Sequence, residues 1–426
     1  MATNIQSTKL DFINIKNRLK SYLKNKTDAS GNNEFADYDF EGSGLSNILD
    51  VLAYNTHING LMSNFALNES FLHTAQLRSS MIGHAENLGL TIRSKTSAQA
   101  TVRLTVNAQD QSGRPTSIVL PQFSTFTGTS STKTHSFLTM EKFTATDDGT
   151  GIYNFVNSTG GQDILISQGK LKTKIFYVGQ TGENKVYIID DRTIDTASAI
   201  VKVYNSPESS SFTEYTPLSK AIKVSADSTY YTIREVPNGN YELNFGDGIT
   251  FGKSPEAGCR IEVQYVSTEG SLGNGVTSFT TNTTFSMPAT KNLQVDAVNA
   301  SVGGQEPDSI ERIRQLAPKA FSTQQRLVTT EDYKSMIQSN FTTVKDVSVW
   351  GGEENVPIEY GKVLISLLFD DGVTTDAQNV IKTQIQSNFT EQLSVMSITP
   401  TFVDPIQVFL NMGIEFHYNP DLTGLT

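Results

Sequence analysis

VGGQEPDSIERIRQLAPKAFSTQQRLVTTEDY, Val302 to Tyr333, is punctuated as a helix, a loop and a second helix held in a fixed geometry. Gly303 and Gly304 can reach φ > 0 and break whatever precedes them. Asp308 then supplies a side-chain acceptor for the free N–H groups of a helix start, and Glu311, three residues on, completes a capping-box pattern. Ile310, Ile313, Leu316 and Ala317 recur at helical spacing while Glu311, Arg312, Arg314 and Gln315 fill the other side. The helix therefore docks one apolar stripe. Pro318 is expected to kink or end it. Thr329 with Asp332 opens another helix carrying Tyr333, Met336 and Ile337.

Gly303, Gly304, Ser309, Glu311, Ile313, Arg314, Ala317 and Pro318, followed by Arg326, Val328, Thr329, Asp332 and Tyr333, form a pattern that resembles the baseplate J-like family of contractile-tailed phages and related injection machines. Many members carry an acidic residue after the two glycines and a Glu before the Ser; this chain has Gln305 and Asp308 there. The resemblance assigns none of these residues catalysis. It implies instead that Ile310, Ile313, Arg314, Arg326, Asp332 and Tyr333 lie at contacts between subunits.

A chain of 426 residues exceeds one ordinary core, so two to four domains are expected. A net charge of −11 argues against wrapping nucleic acid or lying on an anionic membrane. The single cysteine, Cys259, excludes an intrachain disulfide framework and a Cys-based zinc site, and its alternating strand context reads as a buried structural thiol. No run approaches the roughly 18 consecutive apolar residues of a membrane span, and MATNIQSTKLDF lacks an apolar signal core. The expectation is a soluble protein assembled in a reducing cytoplasm.

Near the N-terminus Thr8 and Asp11 form a capping-box-like pair. Phe12, Ile15, Leu19 and Tyr22 follow as a two-heptad seam. Lys9, Lys16, Arg18, Lys20, Lys24 and Lys26 make this segment basic within an acidic chain. So short a helix is marginal alone, so its stripe buries either on this chain's own body or in a bundle with other subunits. Thr27 to Gly44 is polar and acidic and reads as a linker or extended arm, with Phe35, Tyr38 and Phe40 interleaved.

Leu45, Ile48, Leu49, Leu52, Ile58, Leu61, Met62 and Phe65 then keep roughly helical spacing after Ser43, with Gly60 weakening the middle. A second helix is expected after Thr74, with Leu77, Met81, Ala85 and Leu88, closed by Gly89. The run from Phe40 to Ser80 closely resembles the N-terminal region of the inner-baseplate wedge subunits of T-even-like phages, which narrows the family to that branch. His57, His73 and His84 lack the i, i+4 spacing of a helix-borne zinc pair, so no metal or other cofactor is expected. Gly42-Ser43-Gly44 is neither a nucleophile elbow nor a phosphate loop.

From Ser97 the period changes to two, and Thr-rich alternation with Gly, Asn and Asp breaks continues to about residue 300. Ile175 to Val178 and Val186 to Ile189 flank GQTGEN as a hairpin candidate, and Ile200 to Tyr204 reads as a strand. Tyr241 to Phe245, Gly246-Asp247-Gly248 and Ile249 to Phe251 give the clearest turn signal. NFGDGITFGKSPEAGCRIEVQYVSTEGSLGNG resembles the segment that precedes the double-glycine helix in J-like proteins. Asp247 lacks the alternating acidic partners of a calcium loop, and Gly270, Gly273 and Gly275 lack a Rossmann order. Val344 to Trp350 and Lys362 to Phe369 read as strands, Asp376 to Phe389 as a helix, and Val395 to Val403 and Gln407 to Tyr418 as further strands. That order resembles a split βαβ module. The chain stops soon after the last strand, so a longer native protein is expected.

The fold class expected is multidomain α+β: N-terminal helices, a β-rich middle and a C-terminal split-βαβ-like module. The divisions are 1–26 (amphipathic helix), 27–44 (arm), 45–97 (helical domain), 98–300 (β-rich, one or two domains) and 301–426 (ring-forming module). By the resemblance the protein is a non-enzymatic structural subunit of an inner baseplate wedge in the virion tail. It pairs with a second copy of itself and other wedge subunits, joins neighbouring wedges in a six-fold ring around the hub, and relays the change that triggers contraction. Ring closure requires two different surfaces of the 301–426 module. Phe12, Ile15, Leu19 and Tyr22 are expected at the wedge joint. A cell-wall glycan hydrolase or a host-binding adhesin are the competing functions, the former needing two carboxylates that no motif singles out.

Overall fold

In the computed structural model of the chain, residues 11–35, 42–110, 112–130, 133–157, 160–179, 186–220, 225–285, 293–323, 326–341, 344–369, 375–386, 393 and 398–406 are described. Asp11 caps α1 (Phe12–Lys24), its carboxylate accepting from the Ile13 N–H at 3.2 Å. Thr8, its expected partner, lies outside the described residues. The start of the expected arm is folded: Asp28 accepts from the Ser30 and Asn32 N–H groups and Thr27 bridges Asn33. Ser43 caps α2 (Gly44–Glu69), which carries Gly60 without a break. α3 (Arg78–Asn87) starts later than expected, because the Thr74 hydroxyl donates back to the Asn68 carbonyl at 2.6 Å and Leu77 takes the cap position. Gly89, at φ +82°, closes α3: its N–H reaches Glu86 O while the Leu90 N–H reaches Ala85 O, both at 2.9 Å.

Among the described residues sixteen strands follow: β1 (Gln99–Asn107), β2 (Ser117–Leu120), β3 (Thr125–Thr129), β4 (Thr134–Thr139), β5 (Phe143–Thr146), β6 (Ile152–Asn154), β7 (Ile164–Gln168), β8 (Lys170–Tyr177), β9 (Tyr187–Ile189), β10 (Ile194–Tyr204), β11 (Phe212–Pro217), β12 (Tyr230–Val236), β13 (Asn240–Phe245), β14 (Arg260–Ser267), β15 (Ser278–Thr281) and β16 (Leu293–Ala297). They form two main sheets with separate cores. The first runs β15-β3-β4-β7-β1-β16, with β6 also on β1, over Val102, Leu104, Phe126, Phe137, Ile164 and Ile166. The second runs β8-β14-β10-β11-β12-β13-β9 over Ile189, Val201, Leu243, Ile261 and Val263. Strands of the first sheet flank those of the second in sequence, so the second body is an insertion in the first. β2 and β5 make a small separate pair.

Two expected hairpins pair differently. β13 bonds to β12 and β9, while Ile249 to Phe251 form no strand, because the Asp247 carboxylate gathers the Ile249, Thr250 and Phe251 N–H groups at 2.8 to 2.9 Å. The tight turn itself stands as expected. Likewise β8 and β9 each bond to another strand and not to one another.

α4 (Ile310–Thr323) belongs to the compact unit formed by Met1–Gln325 and Thr374–Ala377. There Ile313 and Ala317 pack with Ala75, Met81 and Ala85. Pro318 neither ends nor splits this helix, which runs on for another turn to Thr323. The cap also differs from expectation. The Ser309 hydroxyl accepts from the Arg312 N–H at 3.3 Å, and Asp308 is engaged elsewhere.

The second unit comprises Arg326–Val373 and Gln378–Thr426. α5 (Thr330–Asn340) begins with the expected capping box between Thr329 and Asp332. β17 (Val344–Gly351) pairs antiparallel with β18 (Lys362–Phe369), and β18 pairs parallel with β19 (Thr399–Val403) after α6 (Thr375–Ile385). That is a βαβ crossover. Tyr333, Ile337, Val347, Ile365, Leu367 and Ile381 fill its core. The helix end at Phe389 and the strand expected at 407–418 lie outside the described residues.

Candidate assembly surface

α2 mixes apolar residues with Asn47, Asn55, Thr56, Asn59 and Ser63 around its circumference, so no single apolar face runs along it. Within the chain its buried face is narrow: Ser46, Leu49, Ala53 and Asn64. Ile48, Val51, Leu52, Leu61, Met62 and Phe65 remain exposed, Val51 by 68% and Met62 by 61%. α1 lies beside α2, joined to it by the Lys16–Asp50 ion pair at 2.5 Å. Half-burial of Phe12, Ile15 and Leu19 shows that this docking covers only part of their stripe. Tyr22 stays 65% exposed. The result is a two-helix surface, apolar along α2 and basic along α1 through Arg18, Lys20 and Lys24. The exposed apolar side chains of α2 fall in two groups, Ile48, Val51 and Leu52, then Leu61, Met62 and Phe65, with exposed Asn55 and Asn59 between them.

A buried ionic junction holds the frame behind these helices. Arg78 on α3 makes a two-pronged contact with Glu235 at 2.5 and 2.7 Å, and its third nitrogen donates to the Asp308 carbonyl at 2.5 Å. The Glu235 carboxylate holds the Arg78 guanidinium more firmly protonated than usual. Asp308, 4% exposed in its side chain, accepts from the Arg93 N–H and guanidinium and pairs with Arg312 at 3.0 Å. The Asp308 carboxylate thus ties α4 to the segment after α3, while Glu235 joins the second β body to α3 through Arg78. Gly303 and Gly304 complete the frame. Gly303 sits at φ +85°, and a Cβ on Gly304 would lie 2.3 Å from the Gly270 carbonyl oxygen. Asn274 clasps Gly304 by two hydrogen bonds, at 2.8 and 2.9 Å.

The residues read from sequence as interface candidates divide into two groups. Ile313 is fully buried and Ile310 packs against the same cluster. Arg314 donates to the Leu72 and Ala75 carbonyls and pairs with Glu311. Asp332 serves the cap of α5, and Tyr333 is 2% exposed in a core. These side chains are occupied within the chain. Arg326 and Tyr22 are exposed, and Phe12, Ile15 and Leu19 are half covered. The exposed side chains of α2 are not among the interface residues expected from sequence; the available signal was that the helix carries more large apolar residues than one narrow buried face can cover. Among the described residues no group of His, Cys, Asp and Glu is placed to hold a metal ion, and no helix is long and apolar enough to cross a membrane.

Residues 11–90 match the family described as baseplate wedge protein gp6-like, helical domain, and residues 329–403 match baseplate structural protein gp6, C-terminal domain I. Both ends of the chain are thus similar to gp6-like baseplate wedge domains. The chain is 30% identical to the baseplate wedge protein gp6 of Enterobacteria phage T4 over 96% of its own length. It spans 60% of the length of that relative. Weaker likenesses are to a chain of the anti-feeding prophage baseplate (TM-score 0.30, 13% identity, 94% of this chain and 80% of that one) and to one of a type VI secretion TssK-TssF-TssG baseplate subcomplex (0.35, 8%, 87% and 99%). At those scores neither bears on the argument. The gp6-like helical match covers α1, α2 and α3, so the two-helix surface lies inside the part that carries the family signature.

Proposed function

We propose that this gp6-like chain is a structural, non-catalytic subunit of the inner baseplate wedge in the virion tail, assembled in the host cytoplasm. Its two-helix surface is the wedge joint: α1 and the exposed row of α2 bury against helices of a second copy and of another wedge subunit. Neighbouring wedges then close a six-fold ring around the hub through the unit that begins at Arg326, and rigid bodies turning about their linkers relay the trigger for contraction. The observation that carries this reading is a 26-residue helix whose Ile48, Val51, Leu52, Leu61, Met62 and Phe65 stay exposed inside a segment matching the wedge helical domain. Burial of a row of large side chains stabilises association by roughly 25 cal/mol per Å² before the costs of ordering, enough to drive a bundle.

Light scattering tests it. The purified chain is measured alone and after mixing with the other tail proteins of the same virus. A defined complex that disappears when residues 1–26 are removed supports the reading. A chain that stays monomeric with every tail protein removes it.

A further inference from the structure

The second β body ends in two sheet edges, β8 and β9, separated in sequence by only residues 178–186. Strands so closely connected ordinarily pair as a hairpin. Here β8 spends its ladder on β14 along its full length, and β9 bonds to β13. Among the described residues no backbone hydrogen bond joins β8 to β9.

Side chains join them instead. The Phe176 and Tyr187 rings meet edge to face at 5.5 Å, Lys174 pairs with Asp190 at 2.7 Å, and Lys172 pairs with Asp191 at 2.7 Å. Partners step back along β8 as they step forward past β9. That is the stepping of an antiparallel hairpin without its ladder. Asp191 is held further by the Tyr265 hydroxyl of β14 at 3.2 Å.

We infer that β8 and β9 form a side-chain latch that closes the second sheet on itself and is the first place at which that sheet opens when the ion pairs are weakened. Ordinary neighbours in a sheet share a row of backbone hydrogen bonds that salt screens little. This seam is held by one aromatic contact and two ion pairs, one of the pairs open to solvent on the Asp190 side, and salt weakens such pairs. An opened latch would present two free strand edges beside the exposed side chains of Ile175 and Ile188, a surface suited to adding a strand from another chain.

Amide hydrogen exchange on the intact chain tests the latch. Segments 170–177 and 186–191 should exchange roughly five-fold faster or more at about 1 M salt than at low salt, while β10 keeps its protection. Lys174→Glu should speed the same segments at low salt, and Lys174→Glu combined with Asp190→Lys should restore them. Retained β10 protection shows that each variant is folded. Seam exchange that ignores salt and Lys174→Glu, or that changes only together with β10, would overturn the inference.

Discussion

Asp308 and Arg93 are joined twice, the carboxylate accepting from the Arg93 backbone N–H at 3.1 Å and from its guanidinium at 3.0 Å. A residue placed by sequence to cap a helix therefore anchors a loop far away along the chain. Removing one partner of a buried pair leaves the other charge uncompensated, at a cost of about 3–5 kcal/mol. Losing a helix cap costs about 1 kcal/mol. Asp308→Ala should thus lower unfolding stability in urea by about 3 kcal/mol or more, and Ser309→Ala by about 1 kcal/mol. The reverse order would return the cap to Asp308.

The Arg78–Glu235 contact invites a similar substitution with a different signature. Glu235 is 5% exposed in its side chain, so Glu235→Ala leaves Arg78 facing a buried, vacated space. A loss of about 3–5 kcal/mol is expected in the same urea titration. Glu235→Ala combined with Arg78→Met should recover much of it, because the uncompensated charge is then gone. Additive losses in the double variant would show the pair to be independent of each other.

Gly303 and Gly304 are adjacent and differ in what they tolerate. Alanine at Gly303 meets no neighbour and bears only the left-handed backbone, of order 1 kcal/mol. Alanine at Gly304 drives a Cβ into the Gly270 carbonyl, and part of the frame must move. Thermal melting should therefore shift more for Gly304→Ala than for Gly303→Ala. Equal shifts would show that the close approach to Gly270 is relaxed in solution.

Acid should act on the latch between β8 and β9. Burial pushes the Asp191 carboxyl up, but hydrogen bonds from Lys172 and Thr193 outweigh it and leave the group below the usual aspartate range; Lys174 holds Asp190 down in the same way. A carboxylate with a depressed value in the folded chain contributes stability that is complete above its ordinary value and fades as pH falls through the depressed one. Exchange at the seam, corrected for intrinsic rate, should be constant from neutral pH down to about 4 and accelerate below it. Acceleration already above pH 5 would implicate another group.

Much of the architecture was legible in the residues. The capping box at Thr329, the Gly89 terminator and the period-two alternation of β1 are local signals, and local chemistry decides them. Strand pairing was not legible. Tyr241 to Phe245 reads as half of a hairpin, yet its partners β12 and β9 win because the Asp247 carboxylate consumes the N–H groups that a returning strand would need. Asp308 fits a cap as well as an ion pair, and only the fold brings Arg93 to it. At the candidate surface, the stripe of α1 announced itself through its spacing. α2 did not, because its apolar and polar residues are spread around the helix and leave no single face to read.

The most direct test of the wedge reading is the mass, by light scattering, of the Val51→Asp, Met62→Asp double variant mixed with the other tail proteins. Both side chains are exposed in the isolated chain, so its thermal melting should match the unaltered protein while the multi-subunit complex is lost. A complex of undiminished mass would contradict the account, because the exposed row of α2 would then have no part in assembly.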